Sequence, residues 1–206
     1  MTIGGVEFDP KLTIIIILGT ILPMLDWYNH TLFPVKAYDR IVLYFIIPAI
    51  VIWILFAEPL SYYGFKWGKW QEGFLWVLGV CVIMGVILHF AARTPAMTEY
   101  YKNRAPEGTV YLIFITAVDL FGWEFIWRGF MLFGLAKVLG PGPAIFLQAV
   151  PFAFMHLNKP ELETLTTLFG GAGFAFIAWR TESFVYPFLI HWFMAAVTQL
   201  IASGRL

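Results

Sequence analysis

Charge is the scarcest property of this chain. Of its 206 residues, 13% are Asp, Glu, Lys or Arg, against about 25% in a soluble domain. A soluble core of this length cannot absorb the apolar excess, since 60% of the residues are hydrophobic and the mean hydropathy is +0.78. Cysteine is almost missing too. Cys81 stands alone, which excludes an intrachain disulfide, and its place inside an apolar run reads as packing. Net charge is zero and no basic cluster occurs, so nothing points to nucleic acid as a partner. The first ten residues carry Glu7 and Asp9 but no basic residue. They lack the positive front of a cleaved secretion signal, so the first apolar run is expected to be retained. There are no internal repeats and no low-complexity segments.

What the chain has in quantity is uninterrupted apolar sequence. Ile41–Ala57, Gly73–Ala92 and Val138–Met155 each approach the roughly 20 residues that cross a bilayer as a helix. None alternates as the strands of a transmembrane β-barrel would. The fold class is therefore all-α, a polytopic transmembrane helical bundle of about seven membrane helices. The expected segments run near 11–25, 40–57, 72–90, 109–137, from the Gly140–Pro143 turn to His156, 161–179 and 184–202. Pro48 predicts a kink in the second. Gly122 predicts a tilt or break in the long fourth. Gly170, Gly171 and Gly173 permit close helix contact in the sixth. The aromatic and Lys mixture of Glu58–Trp70 suits the headgroup layer. A polar link, Arg93–Gly108, divides residues 1–108, with the peripheral helices, from residues 109–206, the expected working part. Basic residues fall almost evenly on alternate loops and lean towards a cytoplasmic C-terminus.

Against that background four polar side chains stand out: Glu124, Arg128, His156 and His191. A charged residue at membrane depth costs roughly 2.5–3.5 kcal/mol on insertion scales, so such groups are kept only with partners. The nearest partners are one another, in a polar pocket enclosed by helices. Glu124 and Arg128 are four residues apart with Glu first, the favoured order for an ion pair on one helix face. That pairing is structural for Arg128, while Glu124 has the further capacity to take protons. A Glu–His pair can deprotonate water, and a second His can hydrogen-bond to an oxyanion. Two His and a carboxylate could also hold a metal such as zinc, although a cofactor-free site is the favoured reading. Asp119 lies one turn before Trp123, and Glu163 opens the sixth segment. Both are solvated or locally bonded carboxylates on the bland reading. His30 and His89 carry no motif and are read as non-catalytic.

Trp123-Glu124-Phe125-Ile126-Trp127-Arg128, then Phe152-Ala153-Phe154-Met155-His156, then His191 resemble the three ordered motifs of the CPBP family. This is the family of CAAX prenyl proteases and bacteriocin-processing enzymes, also called Abi. The resemblance covers about 110–201, including Lys159-Pro160-Glu161-Leu162-Glu163 and the Gly-rich sixth segment. It implies a membrane-embedded endopeptidase of a prokaryotic cell membrane, with a peptide or protein substrate and the lipid bilayer as its partners. In the family scheme the first motif's Glu and the second motif's His activate water. The last motif's His, with an Asn or Asp four residues on, holds the oxyanion. Two positions depart from that pattern: Trp123 stands where the first Glu of the pair belongs, and Ala195 stands where the Asn or Asp belongs. Three repairs follow. Glu124 serves as the base, which is the favoured expectation; Asp119 or Glu163 reaches the same water; or the protein binds a partner without cutting it.

Overall fold

Little is needed to start a helix in so apolar a chain. Asp9 caps the first one by accepting the Leu12 N–H at 2.9 Å, and Pro10 takes the first helical position, where a missing N–H costs nothing. The computed structural model describes residues 2–28, 32–102 and 104–206. That first helix, α1, runs Pro10–Trp27. It is preceded by a two-residue antiparallel hairpin, Thr2–Ile3 with Val6–Glu7, which composition did not announce.

The second helix, α2, spans Lys36–Leu55. Pro48 leaves a backbone acceptor without its donor. The helix meets this with wide turns, since π-helical segments at Val42–Ile46 and Val51–Leu55 flank the turn that contains Pro48. A 3-10 turn at Leu60–Tyr63 leads to α3, Trp70–Ala91. The polar link carries a short helix, α4, Pro95–Lys102. Then come α5, Thr109–Leu139, and α6, Pro141–Phe154. The last two are α7, Glu161–Thr181, and α8, Val185–Ala202. Among the described residues, α1, α2, α3, α5, α7 and α8 are long and apolar enough to cross a membrane, and α6 is a shorter apolar helix. The chain is an integral, multi-pass, all-α membrane protein.

The long helix α5 forms the axis of the bundle. It is packed by α1, α2, α6, α7 and α8. Phe125, Ile126, Trp127, Phe130 and Leu132 on it are fully buried. By contrast α3 packs one face against α8 and leaves the other exposed, with only 6% of its most apolar stretch fully buried. Its outward Phe74, Leu78, Val82 and Val86 form the kind of surface that lipid covers. Gly122 does not break α5. A side chain there would run into the Arg40 carbonyl oxygen, so the glycine allows α2 to lie directly against α5. The irregular stretch comes three residues later, as a π-helical segment at Phe125–Met131 inside a continuous helix.

One carboxylate ties the far ends of three elements at the surface opposite the start of α5. Glu58 accepts from Lys11 and Lys137, both at 2.8 Å, and from the Tyr63 hydroxyl at 2.7 Å. Partial burial works against its ionisation, but those three donors outweigh it and hold the carboxyl down at about 2. A depressed carboxyl contributes stability that is complete above its ordinary value and is lost as pH falls towards the folded value. Thermal unfolding in detergent should therefore weaken from about pH 5 downwards. Glu58→Gln should lose about 1–2 kcal/mol at pH 7 and flatten the acid limb. An unchanged limb in that variant would assign the acid sensitivity elsewhere.

Candidate active site

The π-helical segment sets the site. In a π turn the backbone winds more slowly than 3.6 residues per turn, and here it places Glu124 and Arg128 together in the densest part of the bundle. Both are fully buried, and Arg128 Nη1 donates to Glu124 Oε1 at 3.0 Å. The guanidinium carbon lies over Phe152 of α6, 3.9 Å from its centroid, and 5.2 Å from Phe174 of α7. Its Nη2 is 3.4 Å from the Gly171 carbonyl oxygen, which also accepts from Gln148 Nε2 at 3.2 Å. A side chain at Gly171 would collide with Phe152, so this carbonyl is reachable only over glycine.

From α8, His191 completes the group. Its Nδ1 lies 2.6 Å from Glu124 Oε1. The carboxylate accepts from Nδ1–H, which leaves Nε2 as the nitrogen for other business. His156, just past the end of α6, is held in the same tautomer by a different partner. Its Nδ1 donates to the Phe152 carbonyl oxygen at 2.9 Å. Phe152 touches both imidazoles, with centroids 4.7 Å from His156 and 6.1 Å from His191.

Both histidines line a cavity of about 540 Å³. Its α5 wall runs from Tyr111 to Trp123, a depth of about 18 Å at 1.5 Å per residue. Trp123, Asp119 and Ala195 also line it, whereas Glu124 and Arg128 do not. The Trp123 indole is buried. It packs edge-on against His156 at 5.9 Å and Tyr44 at 5.6 Å, and the Arg40 guanidinium lies 4.5 Å from its ring. Asp119 is bound to the same arginine, with Arg40 Nη1 at 2.6 Å, and Arg40 also meets Asp26 at 3.1 Å. Glu163 accepts from Lys159 at 2.6 Å and from Tyr101 at 2.8 Å, and it does not face the cavity. His89 sits on α3 away from the cavity, and His30 lies outside the described residues.

The structure thus gathers Glu124, Arg128 and His191 into one bonded group and sets His156 and Asp119 on the same cavity. Glu163 stands apart in a separate ion pair. Two contributors escaped the sequence reading. Gln148 was one polar residue in an apolar run, and that rarity was its available signal. Arg40 read as a loop cation and gave no sign of reaching α5. Glu124 Oε1 is engaged by His191 and Arg128, Asp119 is held by Arg40, and among the described residues no three His, Cys, Asp or Glu side chains are placed to hold an ion.

With this geometry in hand, similarity narrows the chemistry. Residues 104–197 match the family model described as type II CAAX prenyl endopeptidase Rce1-like. Over that stretch, a little under half of the chain, the sequence is similar to the CAAX proteases. Neither a curated protein nor a solved structure matches it. Glu124, Arg128, His156 and His191 all fall inside the match. Arg40 and Tyr44, which cover Trp123, come from outside it. This is a family of membrane endopeptidases, which fits a bilayer-embedded bundle and a peptide substrate.

Breaking a buried ion pair by removing one partner costs about 3–5 kcal/mol, and Arg128→Met should lose stability on that scale in detergent thermal unfolding. Arg128→Lys keeps the charge but not the planar fork over Phe152, and should lose about 1–3 kcal/mol. If Arg128→Lys unfolded like the parent, the guanidinium's second contact, with Gly171, would carry no weight.

Proposed function

We propose that the chain is an active endopeptidase of a prokaryotic cell membrane, in which His191, backed by Glu124, is the general base. The observation that carries this reading is the 2.6 Å bond between His191 Nδ1 and Glu124 Oε1 on the wall of the cavity. A carboxylate on Nδ1 fixes the tautomer and balances the charge of the imidazolium that forms when Nε2 takes a proton. Glu124 therefore acts at one remove, through an imidazole rather than on water directly.

The reaction divides among the residues as follows. Water entering the cavity hydrogen-bonds to His191 Nε2 and to His156 Nε2, both of them acceptors in this tautomer. His191 takes one proton as the water oxygen attacks the peptide carbonyl carbon. The carbonyl π electrons move onto oxygen, and Ala195 offers that oxygen no donor. The tetrahedral species collapses, the C–N bond breaks, and the imidazolium returns its proton to the departing amine. Arg128 holds Glu124 in place throughout.

A second reading is favoured by one specific observation. The buried Trp123 fills the position of the family's first Glu, against His156. A cavity shaped this way suits a protein that binds a membrane partner or acts as a scaffold without hydrolysis.

A single-turnover cleavage assay on a broad panel of prenylated and unmodified peptides separates the two. His191→Gln and His156→Gln should each slow cleavage by about 10²–10⁴-fold with thermal unfolding close to the parent's. Asp119→Asn and Glu163→Gln should cleave at nearly the parent rate. Loss of cleavage confined to either of the latter two would move the base to that carboxylate. If the parent cut nothing on the panel yet retained peptides in a pull-down, the binding reading would replace the enzymatic one.

A further inference from the structure

The cavity carries a charge imbalance that hydrolysis does not use. Lys36, Arg40, Arg104 and Lys159 line it, against a single lining carboxylate, Asp119, in a chain whose net charge is zero. Three of these cations have carboxylate partners: Lys36 is 3.2 Å from Asp26, Arg40 is 2.6 Å from Asp119, and Lys159 is 2.6 Å from Glu163. Arg104 differs. Its guanidinium sits 4.1 Å from the Tyr100 ring and donates to the Tyr100 carbonyl oxygen at 2.8 Å. Among the described residues it has no carboxylate partner, and it is exposed.

Position gives the imbalance its meaning. Arg104 and Tyr100 belong to the link that precedes α5, and Lys36 opens α2. Tyr111, two residues into α5, lines the same end of the cavity. This is the mouth, about 18 Å from Trp123 along α5. Tyrosines favour the headgroup layer of a bilayer. Further in, Ile115, Leu120 and Met155 form an apolar strip beside the polar Thr116, Asp119 and Gln199. A cationic, aromatic mouth above an apolar strip is complementary to an amphiphile with an anionic head and a hydrocarbon chain. A guanidinium presents a planar fork that suits phosphate oxygens, and basic pockets between membrane helices are sites of headgroup binding.

We propose that the mouth binds the phosphate of an anionic phospholipid, with Arg104 as the principal contact, Lys36 as the second, and an acyl chain along Ile115 and Leu120. A lipid held there lies across the route from the membrane surface to His156 and His191. The protein then carries an occupant that any substrate must displace. This binding does not depend on hydrolysis and is measured without it.

The test uses the full chain in a neutral detergent. Phosphatidylglycerol, phosphatidylcholine or inorganic phosphate is titrated in, with retained adducts read by native mass spectrometry and protection read by thermal unfolding. Phosphatidylglycerol should bind saturably, protect, and weaken as salt is raised. Arg104→Gln and Lys36→Gln should each weaken it roughly fivefold, with unfolding of the lipid-free Arg104→Gln variant close to the parent's. Equal retention of phosphatidylcholine, or phosphatidylglycerol binding unaltered in both variants, would overturn the proposal. Protection by inorganic phosphate with none by phosphatidylglycerol would also overturn the lipid source and assign the same cations to a soluble phosphate ester. Should Arg104→Gln fold poorly, Arg104→Lys keeps the charge, and phosphatidylglycerol affinity between those of parent and Lys36→Gln would support the contact.

Discussion

An ion pair without access to water governs this bundle. Glu124 and Arg128 have left solvent completely, and each ion carries a desolvation cost of several kcal/mol that only good geometry can offset. Every neighbouring helix contributes to that offset. Phe152 comes from α6 and Phe174 from α7, as flat faces for the guanidinium. Gly171 exposes a carbonyl where a larger residue would hide it, and α8 supplies His191 to the other side of the carboxylate. The partners of this buried pair thus come from four helices, while Glu124 Oε2 and Arg128 Nε have none among the described residues. The chemistry of the cavity wall inherits its order from that arrangement.

The site has two tiers. Behind the wall sit Glu124 and Arg128, which face only protein. On the wall are His156, His191, Trp123 and Asp119. The tiers communicate through one imidazole. Trp123 also changes which part of the chain can touch the cavity. An indole at that place offers a π face, and Arg40 lies over it while bonding Asp119 and Asp26. The amino-terminal helices, outside the family-matched stretch, therefore reach into the site. A carboxylate in place of the indole would present Arg40 with a third negative charge and a different partner to choose.

Much of the architecture could be read before any coordinates, because a bilayer enforces long apolar runs and penalises unpaired charge. The runs near 72–90 and 184–202 needed only small changes at their ends. The i, i+4 spacing placed Glu124 beside Arg128, since helix periodicity is local information. What could not be read was distant pairing. Arg40 and Asp119 are 79 residues apart in sequence. Tyr101 and Glu163 are 62 apart, and neither pair has a motif. Gly122 showed the limit in another way. Sequence offered it as a weak point in a helix, whereas its value lies in what it leaves out, so that the Arg40 backbone can pass. The direction in which Glu124 faces was equally hidden, because it depends on a π-helical segment that composition does not mark.

That segment, Phe125–Met131, also bears on how the chain can change over evolutionary time. A π turn holds one residue more than the α turn it replaces, so its length is part of its function. Deleting a single residue there would close the wide turn into regular winding and shift Arg128, Phe130 and Leu132 relative to Glu124. Side chains in this stretch can be exchanged one at a time at local cost. Its residue count cannot drift, so insertions and deletions in a lineage of this chain should be confined to the links and ends, away from the middle of α5.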